Sequence, residues 1–235
     1  MSASSDINNK YNNRTMISVD TGIYISDTSR RQIGINVNCL RDDNRNLPGA
    51  RPIQDALKEM GVRHVRYPGG EKSDYYLWSQ PPYSHPSPRI FDRGVSPAHR
   101  NTVPEAYQTK HAQSHKILDF DRFIAYCVEV GAIPHIVVGA SPFEPFDSGP
   151  ISMEQYLENA VSWVRYANII KEYGITYWEI GNENWQTFSG KENGALAARF
   201  SAAMKMVDPT IKIGVCGNSY QYFCDVLEAG GEHVD

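Results

Sequence analysis

From about residue 32 the chain alternates between short apolar runs and longer stretches in which apolar residues recur every three or four positions. The short runs "QIGINVN" (32–38), "VRHVRY" (62–67), "AIPHIVVGA" (132–140), "ITYWEIGN" (175–182) and "IKIGVCG" (211–217) predict strands. The stretches 52–61, 119–131, 151–174, 194–208 and 220–231 predict amphipathic helices. Pro52 suits a first helical turn, and Gly61 and Gly174 suit stops. Such strict alternation is the pattern of an α/β protein with a parallel sheet.

Two folds share this alternation, the doubly wound sheet and the (β/α)8 barrel. No GxGxxG follows the first strand and there is no Walker A sequence, so the nucleotide-binding version lacks its fingerprint. Unusual polar residues cluster just after strands, at Asn38, Arg66–Gly70, Ser141 and Asn182–Trp185. A barrel carries its active site there, on the loops at the C-terminal ends of its strands. The expected fold is therefore of (β/α)8 TIM-barrel type. It is incomplete, because five strand–helix units and the start of a sixth strand at "HVD" stand against the eight of a closed barrel. Residues 1–30 read as a disordered tail with a short hairpin ("ISVD", "GIYIS"), and residues 31–235 as the N-terminal part of the barrel. A long loop after the second strand, at 71–118, belongs to that part. Two open strand edges would make such a fragment prone to association.

Charge changes the picture little. The 23 basic and 27 acidic residues leave a net charge of -4, which gives no electrostatic case for nucleic acid or an anionic membrane. No apolar run approaches the roughly 20 residues of a bilayer span. The N-terminus shows no apolar signal-peptide core. That implies a cytoplasmic protein if this terminus is native and a secreted one if a leader was removed. The four cysteines, Cys39, Cys127, Cys216 and Cys224, have no CxxC spacing and read as buried free thiols, with a Cys216–Cys224 bridge as the alternative. Asn13-Arg14-Thr15 is a glycosylation triplet of a kind common by chance. His111 and His115 are spaced i, i+4 but lack a neighbouring Cys or HExxH, so they read as a chance pair. No metal and no cofactor is expected.

The chemistry concentrates in "YWEIGNENW" (177–185). Glu183 would sit just past a strand end, with Trp178 and Trp185 as apolar surface beside it. Such surroundings disfavour the charged carboxylate and raise its pKa, as a general acid requires. Asn182 can offer an amide N–H to a sugar hydroxyl. The competing reading is an ordinary solvated turn. In the long loop, Tyr75, Tyr76, Trp78 and Tyr83 would line a cleft wall and stack on sugar rings, or else belong to a disordered insert.

"YWEIGNE" resembles the fourth-strand motif of the retaining glycoside hydrolases of clan A, most closely the α-L-arabinofuranosidases and their relatives. "VRHVRYPGG" resembles the second-strand motif of the same group, and "GINVN" sits where their first strand opens. The resemblance covers roughly residues 31–235. It implies that Glu183 is the general acid/base and that Asn182 bonds the sugar 2-hydroxyl. It implies that Arg66 lies near the nucleophile, or alternatively in a structural ion pair with Glu179. Pro68-Gly69-Gly70 would be a turn that lets backbone approach the ligand. Asn38 and Glu71 depart from the group, which has a glutamate and an asparagine at those places; both would contact the sugar, so the swap implies a different glycone. Asn38, Arg66, Glu71, Asn182 and Trp185 are thus the expected substrate-binding residues.

The group's nucleophile, a second glutamate, stands at the end of the seventh strand. None of Glu71, Glu144 and Asp147 carries a matching motif. The expected function is retaining hydrolysis of a glycosidic bond, with a carbohydrate as substrate and a C-terminal segment or a second chain completing the barrel. This chain alone is expected to be inactive. The rival readings are a non-catalytic carbohydrate-binding or structural protein on the same fold and a doubly wound enzyme of other chemistry.

Overall fold

The computed structural model describes residues 18, 20, 22–23, 34–40, 42–43, 48–90, 117–140 and 151–235, the side chain of Tyr75 excepted. The expected disordered tail, hairpin, glycosylation triplet and His111/His115 pair lie outside these residues, as do Ser141, Glu144 and Asp147. The chain divides into two units, Met1–Arg31 and Gln32–Asp235. What is described of the first is a turn in which Gly22 N donates to Asp20 Oδ1 at 2.9 Å.

The second unit holds one parallel sheet of five strands: β1 (Gly34–Asn36), β2 (His64–Tyr67), β5 (Ile133–Val138), β6 (Tyr177–Ile180) and β7 (Lys212–Val215). Their order in space is their order in the chain, and every pairing is parallel. A doubly wound sheet reverses its strand order at a switch point; this sheet has no reversal, which is the winding of a barrel. Alternation along each strand sorts the side chains. Val65, Tyr67, Ile136, Val138, Trp178, Ile180 and Ile213 are buried in one core with the helices. His64, Arg66, His135, Glu179 and Lys212 occupy the alternate positions and face the other way.

The helices are α1 (Ile53–Glu59), α2 (Phe120–Val130), α3 (Met153–Val164), α4 (Gly190–Lys205) and α5 (Tyr220–Gly230). Asp119 caps α2, and capping boxes open α3 (Ser152/Gln155) and α4 (Ser189/Glu192), each satisfying backbone N–H groups that a helix start leaves free. Helix 151–174 of the sequence reading divides in two. After Val164 the backbone widens into a π-helical segment, Arg165–Ile170. Asn168 there bonds Ile175 through both N (2.8 Å) and O (2.9 Å) and so leads the chain into β6.

Helix α4 begins four residues earlier than its periodicity predicts, because "GKENG" reads as a loop. Both glycines have a packing reason: a Cβ on Gly190 would lie 2.6 Å from Asp225 Cβ, and one on Gly194 2.4 Å from Val226 O. Bare Cα atoms let α5 approach the α4 backbone. At the far edge of the sheet, Asp235 N donates to Ile213 O (2.9 Å) and Asp235 Oδ2 accepts from Ile213 N (2.9 Å), so "HVD" engages β7 where a sixth strand would run.

The stretch following β2 corrects the sequence reading. Instead of an irregular cleft wall, it forms a 3-10 turn (Glu71–Tyr75) and a hairpin of β3 (Tyr76–Leu77) with β4 (Arg89–Ile90). Tyr76 and Trp78 are in the core. The Tyr76 hydroxyl bonds that of Tyr67 at 2.6 Å. The Trp78 ring stacks on Trp163 of α3 at 6.2 Å between centroids, and its Nε1 donates to Asn159 O at 3.1 Å. Tyr83 is half-buried and stacks on Trp78. The Tyr76 and Trp78 rings are taken up by the core and cannot stack on a sugar; the Tyr75 side chain lies outside the described residues.

Candidate active site

Strand β6 ends at Ile180, and the next four residues turn sharply. Gly181 (φ 71°) and Glu183 (φ 50°, ψ 36°) are both left-handed. For glycine this costs nothing; for glutamate it costs about 1–2 kcal/mol, so the surroundings must hold it there. Asn184 does much of the holding. It is fully buried, and its Nδ2 donates to Ile180 O (3.3 Å) and to Asn193 Oδ1 of α4 (2.6 Å). The turn leaves Glu183 exposed at the C-terminal end of the strand, where its Oε2 accepts from Gln186 Nε2 at 3.0 Å. Trp185 is half-buried in the 3-10 turn that follows.

Trp178 is not beside Glu183. It lies on the helix side of β6, fully buried, edge-on to Trp163 at 5.9 Å. Strand alternation forces this: Trp178 and Ile180 share one face, Glu179 the other. The apolar neighbour expected at the carboxylate is therefore part of the core.

Behind the turn lies a charged network on the inner face of the sheet. Arg66 makes a two-pronged bond to Glu179, Nε to Oε2 at 2.8 Å and Nη2 to Oε1 at 2.9 Å. It also donates to Asn36 Oδ1 (2.8 Å) and to Asn182 Oδ1 (3.0 Å). His135 Nε2 stands 3.3 Å from Glu179 Oε2. Burial by itself would raise the Glu179 pKa, but the His135 ring 3.3 Å away and the hydrogen bonds and charge of Arg66 outweigh it and hold it below the usual carboxylate value. Burial would lower the Arg66 pKa; its bond to Glu179 and the charge of that carboxylate outweigh this and raise it. Arg66 is thus both a member of an ion pair and a direct partner of Asn182. The Arg66 bond to Asn182 Oδ1 fixes which way that amide is turned.

Gly70 lies against the same amide: a Cβ there would come within 3.2 Å of Asn182 Oδ1. The bare glycine makes room for Asn182. Arg66, Asn182 and Glu183 are thus linked at one end of the sheet. Asn38 stands past the end of β1, and its Oδ1 accepts from Leu40 N (3.0 Å). Glu71 opens the 3-10 turn after Gly70, with Oε2 3.1 Å from Lys72 Nζ. A concavity of about 370 Å³ on the inner face is lined by His135, Tyr177, Lys212 and Asp235, at the opening residues of β6 and β7 rather than at Glu183.

All four cysteines are free thiols. Burial pushes Cys39 and Cys127 up to about 12. Cys216, just past the end of β7, lies under the Glu183 turn: its Sγ is 4.0 Å from Gly181 O. Among the described residues no group of three His, Cys, Asp or Glu is placed to hold a metal ion. Neither Asn36 nor His135 was singled out by sequence, and Asn184 entered only within the polar cluster Asn182–Trp185. For the first two the available signal was a polar residue in phase with Arg66 and Glu179 on neighbouring strands.

No protein-family model matches the chain. It is 27% identical over 212 residues to a probable α-L-arabinofuranosidase C of Aspergillus fumigatus, covering 79% of this chain and 36% of that protein. It is 25% identical over 182 residues to an intracellular exo-α-(1→5)-L-arabinofuranosidase of Streptomyces lividans, covering 72% and 25%. The crystal structure of an α-L-arabinofuranosidase from Thermotoga maritima matches 77% of this chain and 37% of its own, at 25% identity and a TM-score of 0.51. This chain is similar to the α-L-arabinofuranosidases. A family 51 α-L-arabinofuranosidase from Bifidobacterium longum shares its fold at a TM-score of 0.55 and 21% identity, over 86% of this chain and 43% of that one. The arabinofuranosidase-like fold is of (β/α)8 type with part of the barrel present. The chain spans about a third of the length of the Aspergillus relatives it matches.

Proposed function

We propose that this chain carries the acid/base half of a retaining glycoside hydrolase acting on an oligosaccharide or polysaccharide. One observation supports this reading above the others. Glu183 is exposed beyond the strand end next to Asn182, whose amide oxygen is held by Arg66. In the reaction, Glu183 gives its proton to the glycosidic oxygen as a second carboxylate attacks the anomeric carbon and the leaving group departs. The Glu183 carboxylate then takes a proton from water, and that water displaces the enzyme from the sugar. Asn182 N–H would hold the 2-hydroxyl.

The nucleophile would come from outside these 235 residues, in a C-terminal segment or a second chain, and the 235 residues alone would not turn over. Glu179 is a poor alternative, because both its oxygens are engaged by Arg66 and one also faces His135. The names of the relatives favour an α-L-arabinofuranoside as substrate. Asn38, whose side chain is spent on its own turn, and Glu71 remain the positions at which the glycone would differ.

The test is Glu183→Gln in the full-length protein. General acid/base assistance is worth about 10²–10⁴-fold. Hydrolysis of an α-1,5-linked arabinobiose should slow by that order. The first step on 4-nitrophenyl α-L-arabinofuranoside, whose leaving group needs little protonation, should be nearly spared, and azide should restore turnover. Equal loss on both substrates with no azide effect would remove Glu183 from the acid/base role.

A further inference from the structure

The backbone around Glu183 is held from below by residues with no place in the chemistry. Asn184 is fully buried although it directly follows an exposed residue. Its amide packs on Gly181 so closely that a Cβ there would lie 2.1 Å from Asn184 Oδ1. Its Nδ2 ties the last residue of β6, through Ile180 O, to Asn193 Oδ1, which is itself fully buried in the first turns of α4. The backbone carbonyl of Asn184 accepts from Thr187 N (3.0 Å) and Phe188 N (2.8 Å), and that of Glu183 accepts from Gln186 N (2.9 Å). Tyr222 of α5 lies beside Asn193, and Cys216, just past the end of β7, has its Sγ 4.0 Å from Gly181 O. Strand β6 and helix α4 are therefore joined through Asn184, directly beside a residue in an unfavourable backbone conformation.

We propose that Asn184, through Asn193, is a positioning residue for Glu183: the Asn184–Asn193 bond clamps the left-handed turn and aims the Glu183 carboxylate at the glycosidic oxygen. This rests on the acid/base reading of Glu183. A loop residue with φ 50° has more favourable conformations available, and a shift of its φ and ψ would swing the carboxylate away from the strand end. A side chain that only filled the core could be apolar. Asn184 instead spends its two N–H groups on a strand terminus and a helix, fixing the turn relative to both. Asn182 needs no such clamp, since Arg66 already holds its side chain.

The test compares Asn184→Ala with Glu183→Gln in the full-length protein, each on arabinobiose and on 4-nitrophenyl α-L-arabinofuranoside. With the clamp removed, kcat on arabinobiose should fall about 10–100-fold while KM moves less than threefold. kcat/KM on the aryl glycoside, which reports the first step, should fall less than threefold, and azide should restore the part of its kcat lost in the water step. A merely structural role would lower Tm and reduce both substrates alike through loss of folded protein, and that result would overturn the proposal. Where Asn184→Ala does not fold, Asn193→Ala removes the same bond from the other side and should give the same leaving-group split, weaker; no split overturns the proposal as well. If Glu183→Gln itself shows no dependence on leaving group, the acid/base reading has failed. If Glu183→Gln shows it and both clamp variants do not, only the clamp has failed.

Discussion

Two stretches of this chain look alike on paper and end in opposite environments. "DYYLWSQPPY" (74–83) and "YWEIGNENW" (177–185) both mix aromatic rings with acids and amides, and each contains a strand. In the first, Tyr76 and Trp78 vanish into the core beneath α3, and the polar atoms nearby serve that burial. Trp78 Nε1 is met by Asn159 O and by Ser162 Oγ at 3.1 Å. In the second, Trp178 goes into the same core, but the next residues turn back and leave Glu183 exposed. An aromatic residue marks a ligand surface only if no helix claims it first. Here Trp163 of α3 contacts rings from both stretches, Trp78 at 6.2 Å and Trp178 at 5.9 Å.

The widest separation between the stretches should come from Trp78→Ala. Removing a fully buried tryptophan costs about 3–5 kcal/mol. Chemical denaturation of the full-length protein should show a loss of that size, with kcat per folded molecule unchanged. A drop in kcat larger than the drop in folded fraction would return Trp78 to the cleft.

Glu179 sharpens the comparison from the inner face. Its pKa is lowered on folding, so the unfolded chain binds its proton more readily. The stability this contributes is present above the unfolded carboxylate value near 4.3 and is lost as pH falls through the lower folded value. Glu179→Gln should cost about 2 kcal/mol at neutral pH, less than the 3–5 of a fully buried pair, because Arg66 and Glu179 keep some contact with water. The wild-type stability should fall more steeply than the variant's as pH drops below about 4.5. Parallel curves would mean that the pair contributes nothing.

Trp185→Ala should have the smallest effect on stability. The ring is half-buried in the turn after Glu183, and its removal should cost about 1 kcal/mol or less. If it stands at the substrate, KM for arabinobiose should rise several-fold. An effect on Tm as large as that of Trp78→Ala would place it in the core as well.

The strands and helices were legible because their periods, 2 and 3.6, are written locally in the apolar positions. The Trp-Glu-Ile-Gly-Asn-Glu run was legible through its resemblance to the fourth-strand motif of the clan A hydrolases, since its residues alone also fit an ordinary solvated turn. The hairpin at Tyr76 and Arg89 was not, since each strand is two residues long and gives no period. The start of α4 was not either, because glycines that allow α5 to approach look the same in sequence as glycines that break a helix.

By itself, then, the sequence determined the order of strands and helices, the class of fold and the position of Glu183 at a strand end. These depend on local periodicity and local turn chemistry. Only the tertiary structure decided which aromatic rings are core, that Arg66 serves Glu179 and Asn182 at once, and that Asn184 rather than a tryptophan supports the Glu183 turn. Those depend on side chains 9 to 116 residues apart meeting across strands and helices. No pattern along the chain specifies such meetings, because they follow from strand register and helix packing.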